Sequence, residues 1–468
     1  MTENKEEFYS VYSLSILAVY AGVMFASTKL FSTAANSSDY HVAGRNLGLV
    51  QGALSIAATW IWAPALFTSA EKAYTFGLTG LLWFLVPNIL CLLLFAPFAM
   101  RLRATMPDGV TMAGYMTKRY RSIAVGRTYQ FQFLSIAVLS TAVQLLAGAK
   151  ILNALTGLPF WGFTVLLAAI AFTYAHGSGI KASVLTDAIQ MVVMLGCCVV
   201  LVYLALSNTN GMADLTAGLS GTGQYSAMEI FLAFGLPTAI GLLSAPFGDQ
   251  CFWQRAFSIK ASALGKSFAF GAVAFAIVPL SMGLLGFLAV GSGFQVVDTG
   301  MVNVELVAGL LPSWAMVLLM VMLLSGLLST VDSNLCAVAS LVSDWQVTSK
   351  LDNADKLRVS KVAMVILLIA GILIANIPGL TVTHLFLIYG TLRATTMLPT
   401  VLTLSGKELS AKGICAGVMT SIVVGMPIFM CGTLTGNTTY TTIGCLSALL
   451  LSGTVALLTA PRKAVRHG

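Results

Sequence analysis

Three ionisable side chains sit where the sequence is otherwise apolar. Asp187 precedes the apolar run centred near residue 195, Asp332 lies just past the run centred near 325, and Arg393 lies inside the one centred near 392. A charge in such surroundings is costly and normally marks an ion path, a proton relay or a structural ion pair. The carboxylate of Asp332, followed by Ser333, could pair with a cation, hold an ion jointly with Asp187, or take up a proton. Arg393 is the one arginine well inside an apolar run, and we expect it to pair with Asp332 as a structural or gating element. Contact with a polar or anionic solute is its alternative role. Asp187 is expected about one turn into its helix, so a plain interaction with the helix N-terminus is as open as a role with an ion. Four histidines (His41, His176, His384 and His467) are scattered along the chain. With no metal-ligand cluster or nucleophile–base arrangement visible, an enzyme is not expected.

The elements that position these residues must be membrane helices. Of 468 residues, 57% are apolar and 9% charged, with a mean hydropathy of +0.89. Soluble domains carry about 25% charged residues. A spanning helix needs about 20 mostly apolar residues, and about thirteen stretches qualify, from one centred near residue 22 to one near 450. The start, Met1-Thr-Glu-Asn-Lys-Glu-Glu7, is acidic and lacks the basic region of a signal peptide, so the first span is expected to be retained. Of the eight cysteines, Cys91, Cys197, Cys198 and Cys336 lie in apolar runs and are expected to be buried thiols.

The net charge of +8 follows from topology. With the N-terminus outside and the C-terminus inside, all of the 25 Lys and Arg residues except Lys5, Lys72, Lys150 and Arg393 fall on the inner face. That is the distribution the positive-inside rule requires. The inner set includes Arg255, Lys350, Arg462, Lys463 and Arg466. An even number of spans would scramble it. No nucleic-acid partner is needed to account for the charge.

Two spans are interrupted. The second runs Gly52-Ala-Leu-Ser-Ile-Ala-Ala-Thr-Trp-Ile-Trp-Ala-Pro64, and the seventh contains Gly235, Pro237, Gly241, Pro246 and Gly248 before Asp249-Gln250. Proline removes a backbone donor and frees a carbonyl further back, which at membrane depth is tolerated only beside protein or a polar cavity. A simple kink explains either one alone. As a pair, with the first span set aside, they stand first and sixth in a ten-helix core. Such a pair points to an inverted-repeat transporter with its site at the midplane.

The motifs are similar to those of the sodium:solute symporters. Ala43-Gly-Arg-Asn-Leu-Gly48 resembles the entry to that family's core. Gly179-Ile-Lys-Ala-Ser-Val-Leu-Thr-Asp-Ala-Ile-Gln190 resembles its fifth core helix, and Asp249-Gln250 with Trp253-Gln254-Arg255 its segment after core helix six. Trp60-x-Trp62-Ala63, Ser69, Ala73, Gly77-Leu-Thr-Gly80 and Trp83 look most like the urea/polyamine branch. The resemblance implies an all-α integral membrane protein with a 5+5 inverted-repeat core, the leucine-transporter-like fold. Residues 1–40 would form a tail and peripheral helix, 41–405 the transport core, and 406–468 two further helices with a short basic tail.

The resemblance also implies a sodium site: backbone carbonyls of Ala57 and Trp60, with Gly326, Ser329 and Thr330. Sodium is a hard cation, and carbonyls and hydroxyls can supply oxygens without burying a permanent counter-charge. The plain alternative is that the two hydroxyls bond back to carbonyls one turn earlier. Asp187 matches an aspartate that in some members serves a second sodium, whereas Asp332 and Ser333 depart from the Ser or Ala many members carry. A second ion or proton site at Asp187, Asp332 and Ser333 is therefore an expectation. For the substrate, the resemblance and the aromatic composition point to Trp60, Trp62, Trp83, Gln144 and Ser244, although helix packing or an interfacial anchor is the commoner role of any single tryptophan.

The implied activity is sodium-coupled symport of a small polar solute, urea first, by alternating access. A small proline-like amino acid or a polyamine is the runner-up, with proton coupling as a variant. The implied partners are the solute, Na+ and the lipid bilayer of a bacterial inner membrane, with the chain acting as a monomer. A non-transporting sensor of the same fold would carry a signalling domain, and the seven residues after Pro461 lead us not to expect one.

Overall fold

The computed structural model describes residues 3–31, 37–345, 348 and 351–460. Lys350, Arg462, Lys463, Arg466 and His467 lie outside the described residues. Among the described residues, eleven helices are long and apolar enough to cross a membrane. The apolar segment Ser13–Lys29 of the first helix and the interrupted helix beginning Leu49–Trp60 bring the order of spans to that expected from the sequence.

The second span is an inner half, Leu49–Trp60, and a continuation that restarts at Ala63–Leu66. Between them Ile61 (φ −85°, ψ 96°) and Trp62 (φ −122°, ψ 173°) are extended. Pro64 is thus in the first turn of the restarted helix, where its missing N–H is harmless. Gly77 then turns the chain at φ +63°, inside the continuous helical assignment Thr68–Thr105. A Cβ there would lie 2.2 Å from the Leu219 carbonyl oxygen, so the close approach and the backbone angle both require glycine.

The seventh span ends as Leu236–Ser244 and restarts as Gln250–Ser258, with Asp249 capping the second piece through Cys251 N at 3.0 Å. Five crossings separate the two interruptions, so the broken helices run in opposite directions. Their inner ends are tied together. Leu47 N donates to Ser258 O (3.2 Å) and Lys260 N to Leu47 O (3.0 Å).

The middle of the bundle is formed by the fourth span Ile123–Thr156, the ninth Ala315–Ser343 and the eleventh Val382–Leu404. Their apolar windows are 72%, 83% and 78% buried, against 28% for the tenth, Asn353–Ala375. Val199, Tyr203, Ile366 and Leu373 stand exposed on the outer faces of their helices, which suits a lipid-facing surface. Cys91, Cys197, Cys198 and Cys336 are buried free thiols.

Candidate functional site

Two polar clusters lie beside the two interruptions. The first joins the second, sixth and ninth spans. Thr330 Oγ1 approaches Ile61 O (3.3 Å), Thr59 O (3.5 Å) and Gly326 O (3.2 Å). Hydroxyl and freed carbonyls therefore face one another across the break. The one-turn back-bond anticipated as the plain alternative is also present, to Gly326. Gly326 itself lets the helices meet, since a Cβ there would lie 3.2 Å from Ile61 O.

The expected carbonyl set shifts. Ala57 O accepts from Ile61 N (2.9 Å), because Ile61 still closes the last turn, and the oxygens nearest Thr330 include those of Thr59 and Ile61. Ser329 turns away from this group and donates to Asp187 Oδ1 (2.5 Å).

Asp187 is the hub of that neighbouring group. It is fully buried, accepts from Ser55 Oγ (2.6 Å), and pairs with Arg255 Nη2 at 3.0 Å. Its helix, Ile180–Ser207, begins just after Gly179, which places Asp187 two turns in and beyond the reach of an N-terminal effect. Arg255 also donates to Ser55 Oγ (3.0 Å), Ser333 Oγ (2.8 Å) and Cys251 O (3.2 Å). Sorting charges by loop put Arg255 on the inner face. The short helix Gln250–Ser258 is instead wholly buried, and its guanidinium enters the bundle. Three hydrogen bonds besides the one to the carboxylate make that burial tolerable.

The expected pairing of Asp332 with Arg393 is not what forms. Asp332, fully buried, accepts from Ser183 Oγ (2.6 Å) and, at 3.4 Å, from Thr186 Oγ1. It takes part in none of the ion pairs found among the described residues. Ser333 lies by Arg255 and by Thr59 Oγ1 (3.1 Å). In the Thr186-Asp187-x-x-Gln190 run, Gln190 serves the first span by donating to Tyr20 Oη (2.6 Å).

Arg393 belongs to the second cluster, where its Nη2 donates to Asp249 Oδ2 at 2.6 Å. Its guanidinium carbon lies 5.6 Å from the centre of the Trp60 ring, 5.3 Å from Trp62 and 4.5 Å from Tyr389. Such distances suit a cation over aromatic faces. The Trp60 and Trp62 rings stack at 5.1 Å. A Cβ on Gly248 would lie 2.7 Å from Arg393 Cα, so this glycine sets how near the eleventh span comes. Arg393 thus touches both broken helices: Trp60 and Trp62 on one, Asp249 on the other.

The remaining expected substrate residues each have a partner of their own in the bundle. Gln144 accepts from Ala63 N (2.7 Å) and donates to Ser140 O (3.2 Å), capping the restarted helix. Ser244 contacts Met397 Sδ at 3.1 Å. Trp83 packs on Phe231 (5.1 Å) against Gly235, away from the other two tryptophans. Neither Tyr389 nor Asp249 is singled out for the substrate by the sequence, and Arg255 is read there as an inner-face charge and part of a motif, not as the partner of Asp187. A tyrosine one turn before an intramembrane arginine was the available signal for Tyr389.

The sodium:solute symporter family matches residues 40–425 of the chain. A urea–proton symporter of Oryza sativa subsp. japonica is 24% identical over 442 residues, covering 84% of this chain and 60% of that protein. This chain therefore spans well under two thirds of that relative's length. The sodium/pantothenate symporter of Escherichia coli (strain K12) is 24% identical over 432 residues, 88% of each chain. Among solved structures, a substrate-bound, outward-open Na+-coupled sialic acid symporter superimposes with a TM-score of 0.77 at 16% identity, covering 96% of this chain and 98% of that one. The fold is accordingly leucine-transporter-like.

Proposed function

Since the chain belongs to the sodium:solute symporter family, we propose that it couples the entry of sodium to the uptake of a small polar solute, with urea as the substrate. One observation carries the coupling: the carbonyls of Thr59 and Ile61, beside the break, face the Thr330 hydroxyl. An unwound turn that presents carbonyl oxygens to a hydroxyl supplies hard, uncharged ligands for a small cation. Transport by alternating access would alternately expose this site and the Trp60–Trp62–Arg393 cluster. The urea assignment is supported by the relative named for urea–proton symport and by flat aromatic faces beside a guanidinium.

We place the core at 41–405, the N-terminus outside and the C-terminus inside a bacterial inner membrane, with the monomer as the working unit. The support for that orientation is the sorting of lysines and arginines by loop. Proton coupling is the second reading, and the buried Asp332, without a cationic side-chain partner, favours it.

The test is radiolabelled urea uptake by wild type and Thr330→Ala in proteoliposomes at several sodium concentrations. Wild type is expected to accelerate with an inward sodium gradient. Thr330→Ala should raise the half-saturating sodium roughly tenfold, the scale of one lost polar ligand. Uptake indifferent to sodium, driven instead by a pH gradient, would overturn the sodium reading in favour of the second.

A further inference from the structure

A buried polar group without a partner costs free energy, and native proteins leave few of them. Several gather around Arg393. Among the described residues its Nε and Nη1 have no hydrogen-bond partner, nor has Trp62 Nε1 or the hydroxyl of Tyr389, whose ring lies beside the guanidinium. These side chains are 0–2% exposed, so bulk water does not satisfy them. Gln132 donates to Gly248 O (3.2 Å) and Leu392 O (3.4 Å) from its amide nitrogen, and its amide oxygen is unpartnered. Unsatisfied donors on Arg393 and Trp62 and an unsatisfied acceptor on Gln132 therefore gather where the eleventh span meets the two breaks.

The charges narrow the ligand further. Asp249 neutralises Arg393 at 2.6 Å. An anion brought to the guanidinium would also meet the Asp249 carboxylate in a medium of low dielectric, and a cation would meet Arg393 itself. A neutral ligand meets neither penalty. The rings of Trp60, Trp62 and Tyr389 provide flat apolar faces.

We infer that Arg393, Trp62, Tyr389 and Gln132 form the polar side of the substrate subsite, and that this subsite selects neutral, planar amides over carboxylates and polyamines. The carbonyl oxygen accepts from one of the two unpartnered Arg393 N–H groups and from Trp62 Nε1, an amide N–H donates to Gln132, and the plane of the ligand lies on the aromatic rings. This rests on the reading of the chain as a carrier of a small polar solute. Within that reading it excludes the polyamine alternative and assigns Arg393 a second role besides its ion pair.

The experiment is ligand binding to the purified full chain in nanodiscs, followed by tryptophan fluorescence, using urea, acetamide, acetate and putrescine. Millimolar concentrations keep urea well below denaturing levels. Urea and acetamide should saturate and compete, with acetate and putrescine at least roughly tenfold weaker. Arg393→Lys should weaken acetamide binding by roughly tenfold or more, and Trp62→Phe by roughly three- to tenfold, the scale of lost hydrogen bonds. Trp161→Phe, at an exposed tryptophan of the fifth span, should leave it unchanged.

Acetate or putrescine binding as tightly as acetamide would overturn the inference on wild type alone, even if the variants do not fold. Wild-type affinity in folded Arg393→Lys and Trp62→Phe would overturn it too. Saturable amide binding without cation-driven uptake would leave the subsite standing and remove the symport reading. Cation-driven urea uptake inhibited equally by acetate and acetamide would do the reverse.

Discussion

Asp187 and Arg255 show how a buried charge shapes the inner half of the bundle. Each is 0% exposed, and they meet at 3.0 Å with Ser55, Ser329 and Ser333 completing their hydrogen bonds. Replacing both by apolar residues can be neutral, whereas removing one leaves a bare charge in low dielectric. Asp187→Asn is therefore expected to cost about 3–5 kcal/mol of stability, read as a drop in thermal unfolding temperature in detergent. The double variant Asp187→Asn/Arg255→Gln should cost less than the sum of the two singles. Strict additivity would mean that the pair contributes no coupling. Asp332, close by and held by the Ser183 and Thr186 hydroxyls, makes no ion pair among the described residues.

At the scale of elements, both interruptions depend on glycines that let backbone meet backbone. Gly248 admits the eleventh span at Arg393, and a methyl group there would strike Arg393 Cα and O, both at 2.7 Å. Backbone cannot rotate away as a side chain can. Gly248→Ala should therefore cost about 1–3 kcal/mol, as overpacking does. Gly162→Ala, in a helix with nothing within 4 Å of its added Cβ, should be neutral or slightly stabilising. Thermal unfolding of both in the same detergent makes the comparison, and equal effects would show that the contact at Gly248 is not tight.

The breaks themselves were legible because proline, glycine and tryptophan interrupt runs that composition otherwise makes helical. Span order was legible because a helix in lipid has to satisfy its own backbone. Which side chains meet was much less so. Arg255 lies in a short segment that charge sorting treats as an inner loop, and only the tuck of Gln250–Ser258 under the bundle buries it. Asp249 draws Arg393 away from Asp332 because the second break, not the ninth span, faces the eleventh. Periodicity along one helix carries no information on such partners.

For the molecule as a whole, the two broken helices, joined at their inner ends through Leu47 and Lys260, bracket both polar clusters. Movement of one repeat against the other would therefore change the proposed cation ligands at Thr330 and the proposed Arg393 subsite together. That is the physical content of coupling, since a ligand shifts an equilibrium only through its different affinities for the two states. Urea carries no charge, so any steady current that it evokes reports the ion moving with it.

The decisive measurement is the current evoked by a urea concentration jump on proteoliposomes adsorbed to a solid-supported membrane, at constant pH, with and without sodium. An inward positive current that requires sodium and is absent from protein-free liposomes is the predicted result. Radiolabelled urea equilibrating through the protein with no current, in sodium or under an imposed pH gradient, would contradict cation-coupled symport.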